Sequence, residues 1–363
     1  MSKQKDKSTG VREKISAKLP SKLRKDKTPI RITNDTISEH REKILASGKK
    51  FKYPLQYSKH RILVNAIIIV IVAFIALGVW LWVMLYRRQE TGDFYYSMTK
   101  VLPLSVAEVD GQSVPYSDYL RRIRASIFYY ETQEGRSFNS ADDQRELNSK
   151  KRKELDVVER TAYATKIAKE NNISISDAEV DELIIAQRKQ SNSDESTFER
   201  MLATYNDWTL DDYKAELKNQ LLERRVAFSI DLSAKNKAND VVERLKKGED
   251  FAEVAKKVSD DPVTAEGGGA RVARSDESDD AGLATAARKL NEGGVSGVIA
   301  SNSRCGQNAD GSDGKYCYYI VRLESKSENE TKYSVIQISL TKFDKDFAAL
   351  RNRNKIREHI DVK

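Results

Sequence analysis

Histidine is almost absent from this chain: His40, His60 and His359 are the three among 363 residues. Zinc spacings and histidine-dependent hydrolase signatures are therefore missing, and no phosphate-cradling glycine loop stands in their place. Neither a metal nor a cofactor is expected. Cysteine is rarer still, with Cys305 and Cys317 alone, and their spacing is far from the Cys-x-x-Cys of a redox dithiol. Aromatic residues are missing before Phe51, so the basic N-terminal segment has nothing to stack on bases, and no nucleic acid is expected as a partner. Charge is missing from residues 62–86. An uncharged run of that length is enough to cross roughly 30 Å of hydrocarbon as a helix.

That run holds Ile67-Ile68-Ile69-Val70-Ile71-Val72 and ends in Trp80, Trp82 and Tyr86, residue types that favour the membrane interface. It reads as a transmembrane helix in contact with membrane lipid. A cleaved signal peptide is the alternative, but about sixty residues precede the run and no small-residue cleavage site follows Arg87-Arg88. Residues 1–61 carry about 18 Lys plus Arg against about 6 Asp plus Glu. By the positive-inside rule this tail is cytoplasmic and the residues after the span lie outside, giving a single-pass protein of the plasma membrane. The tail's composition predicts a disordered basic anchor, with contact to anionic lipid as the sharper reading.

Beyond a spacer at 87–105, Asp110-Gly111 sits between two short extended runs and predicts a tight hairpin. Helical spacing follows in Leu120, Ile123, Ile127 and Tyr130, then in Val180, Leu183 and Ile184. It returns in Phe198, Met201, Leu202 and Tyr205, and again in Tyr213, Leu217 and Leu221. Ser176 with Glu179 forms a capping box, and Thr209 offers a similar cap. Residues 106–224 thus read as a hairpin plus amphipathic helices. In Arg225–Leu232, Val226, Phe228, Ile230 and Leu232 alternate as a half-buried strand should. Tyr318–Leu323 and Tyr333–Leu340 read as strands too, the latter added to the edge of a sheet or docked on the helices, and a helix is expected from about Lys345 to Ile360.

Residues 225–324 resemble a parvulin-type prolyl isomerase. The resemblance rests on Gly248-Glu249-Asp250-Phe251 between two helices, Ser259-Asp260-Asp261-Pro262, the cluster Gly267-Gly268-Gly269, and Leu290-Asn291-Glu292-Gly293-Gly294-Val295-Ser296. The text from Ala168 to Asp181, with Trp208-Thr209-Leu210-Asp211-Asp212-Tyr213, resembles the helical module of SurA-like and PrsA-like folding factors. Together they imply an extracytoplasmic α-helical module followed by an α+β parvulin-like domain with a small antiparallel sheet, closed by a C-terminal segment at 325–363. The implied partners are unfolded or newly exported polypeptides, and the oligomeric state stays open.

The resemblance also implies a site. An X-Pro bond resists rotation by roughly 20 kcal/mol because the amide gives up resonance as it twists, so a protein need only grip the ring and favour the twisted amide. Asp261 matches the family's Cys or Asp position. Its two histidine positions fall on Ser229, on the expected strand, and on Tyr319; Leu283 takes the place of the aromatic that packs on the proline. Phe228 and Val272 are the further substrate-contact candidates. Cys305 and Cys317 lie outside the membrane, where an oxidising compartment favours a disulfide over two free thiols. Asn308–Gly314 resembles a calcium loop without its closing glutamate, and Ser275–Asp280 reads as a solvated loop.

Overall fold

The computed structural model describes residues 33–52, 54–274, 282–307 and 313–362; most of the basic tail, Ser275–Asp280 and most of Asn308–Gly314 lie outside them. The chain divides into two units, Met1–Leu77 and Gly78–Lys363. In the first, α1 (Asn34–Lys52) is a correction to the disordered tail. Its start is held by Thr36, whose hydroxyl donates to the Thr33 carbonyl at 2.8 Å, and Ile37, Ile44 and Leu45 share one exposed stripe at helical spacing. The uncharged run lies in α2 (Pro54–Trp82), which continues as a π-helical turn, Val83–Arg88. The stretch His60–Arg88 is long and apolar enough to span a membrane.

The second unit is mostly helical with small antiparallel sheets. After the end of α2 and its π-helical turn it continues with α3 (Asp93–Val101), the hairpin β1 (Ser105–Val109) and β2 (Gln112–Pro115), and α4 (Tyr116–Thr132). Then come α5 (Ala141–Glu170), α6 (Asp177–Gln190), α7 (Glu195–Asn206), α8 (Leu210–Ile230), α9 (Leu232–Lys246), α10 (Phe251–Val258) and the single turn α11 (Pro262–Ala265). The hairpin turns as expected, with Asp110 and Gly111 both at positive φ. Both capping boxes form, and a third, Ser140 with Asp143, starts α5.

The remaining elements are β3 (Arg271–Arg274), α12 (Leu283–Arg288), β4 (Ile299–Ala300), β5 (Cys305–Gln307), β6 (Asp313–Lys315), β7 (Cys317–Lys326), β8 (Glu330–Ser339), α13 (Lys342–Asn352) and β9 (Ile356–Glu358). The main sheet has the order β3-β8-β7-β4. Three expectations fail here. Arg225–Leu232 is not a strand: α8 runs through Ile230, because Leu222, Val226 and Ile230 also satisfy helical spacing, and the break comes at Asp231, which caps α9. A short apolar run fits either period, and packing decides it. The place beside β7 belongs instead to β8, inside the sheet rather than at its edge. The final helix stops at Asn352, where Asn354 adopts positive φ, and β9 pairs with β1.

β7 and β8 divide two cores between their faces. Tyr318, Ile320, Ile336 and Ile338 point toward α9 and α10, in a core that also takes Tyr163 of α5 and Phe343 of α13. Tyr319, Val321, Leu323, Tyr333 and Val335 point the other way and are covered by Leu283 and Ala287 of α12. Each such side chain removed from water contributes roughly 1.5–3 kcal/mol.

Cys305 and Cys317 form a disulfide across a sequence separation of 12. Closing a loop of that size is worth about 3 kcal/mol by chain entropy. Cys305→Ala with Cys317→Ala should lower the denaturant-unfolding free energy by that order, and added reductant should destabilise the parent but not the double variant. Equal sensitivity to reductant in both would show that the bridge does not stabilise the fold.

Candidate functional site

The sheet brings some of the expected site residues together and separates others. Tyr319 lies directly across β7 and β8 from Gln337. Antiparallel partners point to one face, so the amide of Gln337 and the phenol of Tyr319 share the side covered by Leu283. The loop before α11 docks at the same register. The Asp260 amide donates to the Gln337 carbonyl at 2.8 Å, the Gln337 amide donates to Ser259 Oγ at 3.1 Å, and the Ser339 amide donates to Asp260 Oδ2 at 2.7 Å. Asp261 caps α11, its Oδ2 accepting from the Thr264 amide at 3.3 Å. Leu283 and Tyr319 therefore share one core, and Asp261 directly follows the Ser259-Asp260 pair that bonds to the Gln337 backbone.

Ser229, Phe228 and Val272 do not join them. Ser229 is exposed near the end of α8, where its hydroxyl donates to the Val226 carbonyl at 2.8 Å. Phe228 packs edge-on to Tyr318 at 5.0 Å, on the opposite face of the sheet from Tyr319. Val272 is exposed on β3 and also points away from Tyr319, since its neighbour Arg271 pairs with Tyr333. His359 follows β9 rather than ending a helix; its amide donates to the Val106 carbonyl at 2.9 Å, in the three-stranded sheet β2-β1-β9.

Gln337, on the expected strand Tyr333–Leu340, is a residue of this face that the motif matches do not reach. Its signal is an amide within Val335-Ile336-Gln337-Ile338, a polar side chain on the strand face it shares with the apolar Tyr333 and Val335. Tyr319 and Gln337 can donate hydrogen bonds to an amide, which is all that bond rotation asks. Access is another matter: Tyr319 is 6% exposed, Gln337 9% and Leu283 0%.

Open space lies elsewhere. A cavity of about 1190 Å³ is bounded by α5, α6, α8, α13 and the approach to β5 and β7. Five arginines in its wall are held by carboxylates: Arg122 by Glu154 and Glu216, Arg152 by Glu358, Arg160 by Asp344, Arg304 by Glu223, and Arg351 by Asp156 and Glu159. These pairs tie α4, α5, α8 and α13 into a fixed frame. Its lining is mixed, with the apolar Leu183, Leu217 and Leu221 beside amides and charges.

Residues 55–227 match the family model of the SurA-like N-terminal domain, and residues 231–306 match that of the PPIC-type PPIASE domain. In this order the two matches are similar to the SurA/PrsA-like parvulin architecture. No curated protein matches the chain. The junction of the two matches falls at the end of α8, where Asp231 breaks the helix. The second match stops at residue 306, before β7 and β8 with Tyr319 and Gln337. The two domains mark a folding factor with isomerase resemblance, and α2 is consistent with its membrane anchor.

Proposed function

We propose that the protein is a membrane-anchored factor, basic tail inside, whose outer part holds unfolded or newly exported polypeptides. In this reading the parvulin-like domain forms one wall of the client cavity and is not an efficient isomerase. The observation that carries it is a contrast: Tyr319, Gln337 and Leu283 are nearly closed to solvent, while the large cavity opens between the helices and the sheet. Holding a chain needs accessible, mixed apolar and polar surface; rotating a prolyl bond needs a pocket that the ring can enter.

Two measurements on the full chain in neutral detergent test it. Aggregation of a chemically unfolded client should be suppressed at near-stoichiometric ratio. A protease-coupled assay of X-Pro isomerisation should give a rate indistinguishable from buffer. A rate well above buffer that drops in Tyr319→Phe or Gln337→Ala would overturn the second half of the proposal, and unsuppressed aggregation would overturn the first.

A further inference from the structure

The cavity has more positive charge than its carboxylates engage. Beside the five paired arginines it is lined by Lys153 of α5, Arg224 of α8 and Lys315 of β6, and none of these three meets a carboxylate among the described residues. Arg224 donates through Nε to the Ser301 carbonyl at 2.8 Å, and its guanidinium lies 5.9 Å from the centre of the Phe228 ring. Burial, with the Arg225 cation beside it, holds the Arg224 pKa below its ordinary value. A desolvated guanidinium without a counter-ion is a cost that an incoming anion relieves.

The cavity's size argues for a chain segment rather than a small molecule, because ordinary ligand pockets span roughly 300–1000 Å³. A second hollow of about 370 Å³ adjoins it, sharing Arg122, Lys153, Glu216 and Gln220 and adding Tyr129, Tyr130 and Trp208. The amides of Gln187 and Gln220 suit a peptide backbone, and Leu217, Leu221 and Tyr316 suit apolar side chains. A phosphate polymer would leave that apolar lining unused. We propose that this joined groove selects acidic segments of unfolded polypeptide, with Lys153, Arg224 and Lys315 as the residues that set the preference. The inference rests on the client-holding reading and names its substrate class.

The test is fluorescence anisotropy of the full chain in neutral detergent, with two unstructured peptides of identical apolar content carrying Glu or Gln at the same places and an uncharged dye. The Glu peptide should bind about tenfold tighter at low salt, a preference that shrinks as salt screens it. Lys153→Gln with Arg224→Gln and Lys315→Gln should bring its affinity down to that of the Gln peptide. The same charge change at Lys289, Lys332 and Lys345, outside the cavity, should not. Equal affinities for the two peptides, a preference that survives the triple variant, or tighter binding of inorganic polyphosphate would each overturn the inference. Aggregation suppression without any acidic preference removes this inference alone; loss of both removes the client-holding reading as well.

Discussion

Arg351→Ala is expected to cost about 3–5 kcal/mol of stability at pH 8 and much less at pH 5, because it strips the nearest cation from a buried carboxylate. Glu159, in the second half of α5, is 0% exposed. Its Oε2 accepts from Arg351 of α13 at 2.7 Å, Arg152 stands 3.7 Å away, and Oε1 has no hydrogen-bond partner. Burial, reinforced by the Glu358 carboxylate, pushes the Glu159 pKa up to about 7 against the attraction of the two arginines. In the unfolded chain the same group titrates near 4.5. Between those values the native state binds the proton and the unfolded state does not, so this group's contribution to stability falls as pH rises from about 4.5 through about 7 and is flat beyond. The difference amounts to roughly 3 kcal/mol. Glu159→Gln should flatten that window, as read from urea midpoints at pH 5 and pH 8. Because the carboxyl is protonated at pH 5, Arg351→Ala should show most of its cost only above pH 7. An equal cost at both pH values would mean that Arg351 acts through its ion pair with Asp156 or by packing on Phe347, 5.4 Å from its guanidinium, and not through the Glu159 charge.

The buried pair also shows which parts of the molecule its sequence discloses. The hairpin and helix starts are local: Asp110-Gly111, Ser176 with Glu179, and Thr209 with Asp212 each specify a backbone state within four residues, and each forms. α5 is less legible although it is the longest helix of the module, because Leu147 is the one large apolar residue in its first fourteen and its buried apolar face begins only at Leu155 and Val158. The strand misread at 225–232 has a different cause. Val226, Phe228 and Ile230 are compatible with both periods, and the choice is made by what α8 packs against, which no local pattern contains. The site suffers the same way. Tyr319 and Leu283 were placed by matching motifs and share a face in the fold, whereas Ser229 and Gln337 depend on which strand lies beside β7, a pairing set by chain topology.

Gly268→Ala is expected to destabilise by about 2–6 kcal/mol, the sum of backbone strain and overpacking. Gly268 sits at φ +95°, and a Cβ there would come within 2.8 Å of Phe251 Cε1 and 3.3 Å of Ser334 Cβ. Phe251 is 3% exposed and opens α10 against the core, so it has nowhere to move. The close approach exists because this residue links two elements: its amide donates to the Thr264 carbonyl at 2.6 Å and its carbonyl accepts from the Val335 amide at 2.8 Å. Gly111→Ala separates the two contributions. It has a similar φ of +86° but meets nothing within 4 Å, so its cost should stay near the strain alone, roughly 1–2 kcal/mol. Urea denaturation of the two variants should therefore differ by a wide margin, and equal losses would show that φ and not contact demands the glycine. The glycine cluster that resembles a site loop in sequence thus serves in the fold to seat β8, two residues from Gln337. Client binding by the Gly268 variant should accordingly fall only as its folded fraction falls, and a loss of binding in protein that remains folded would return this loop to the site itself.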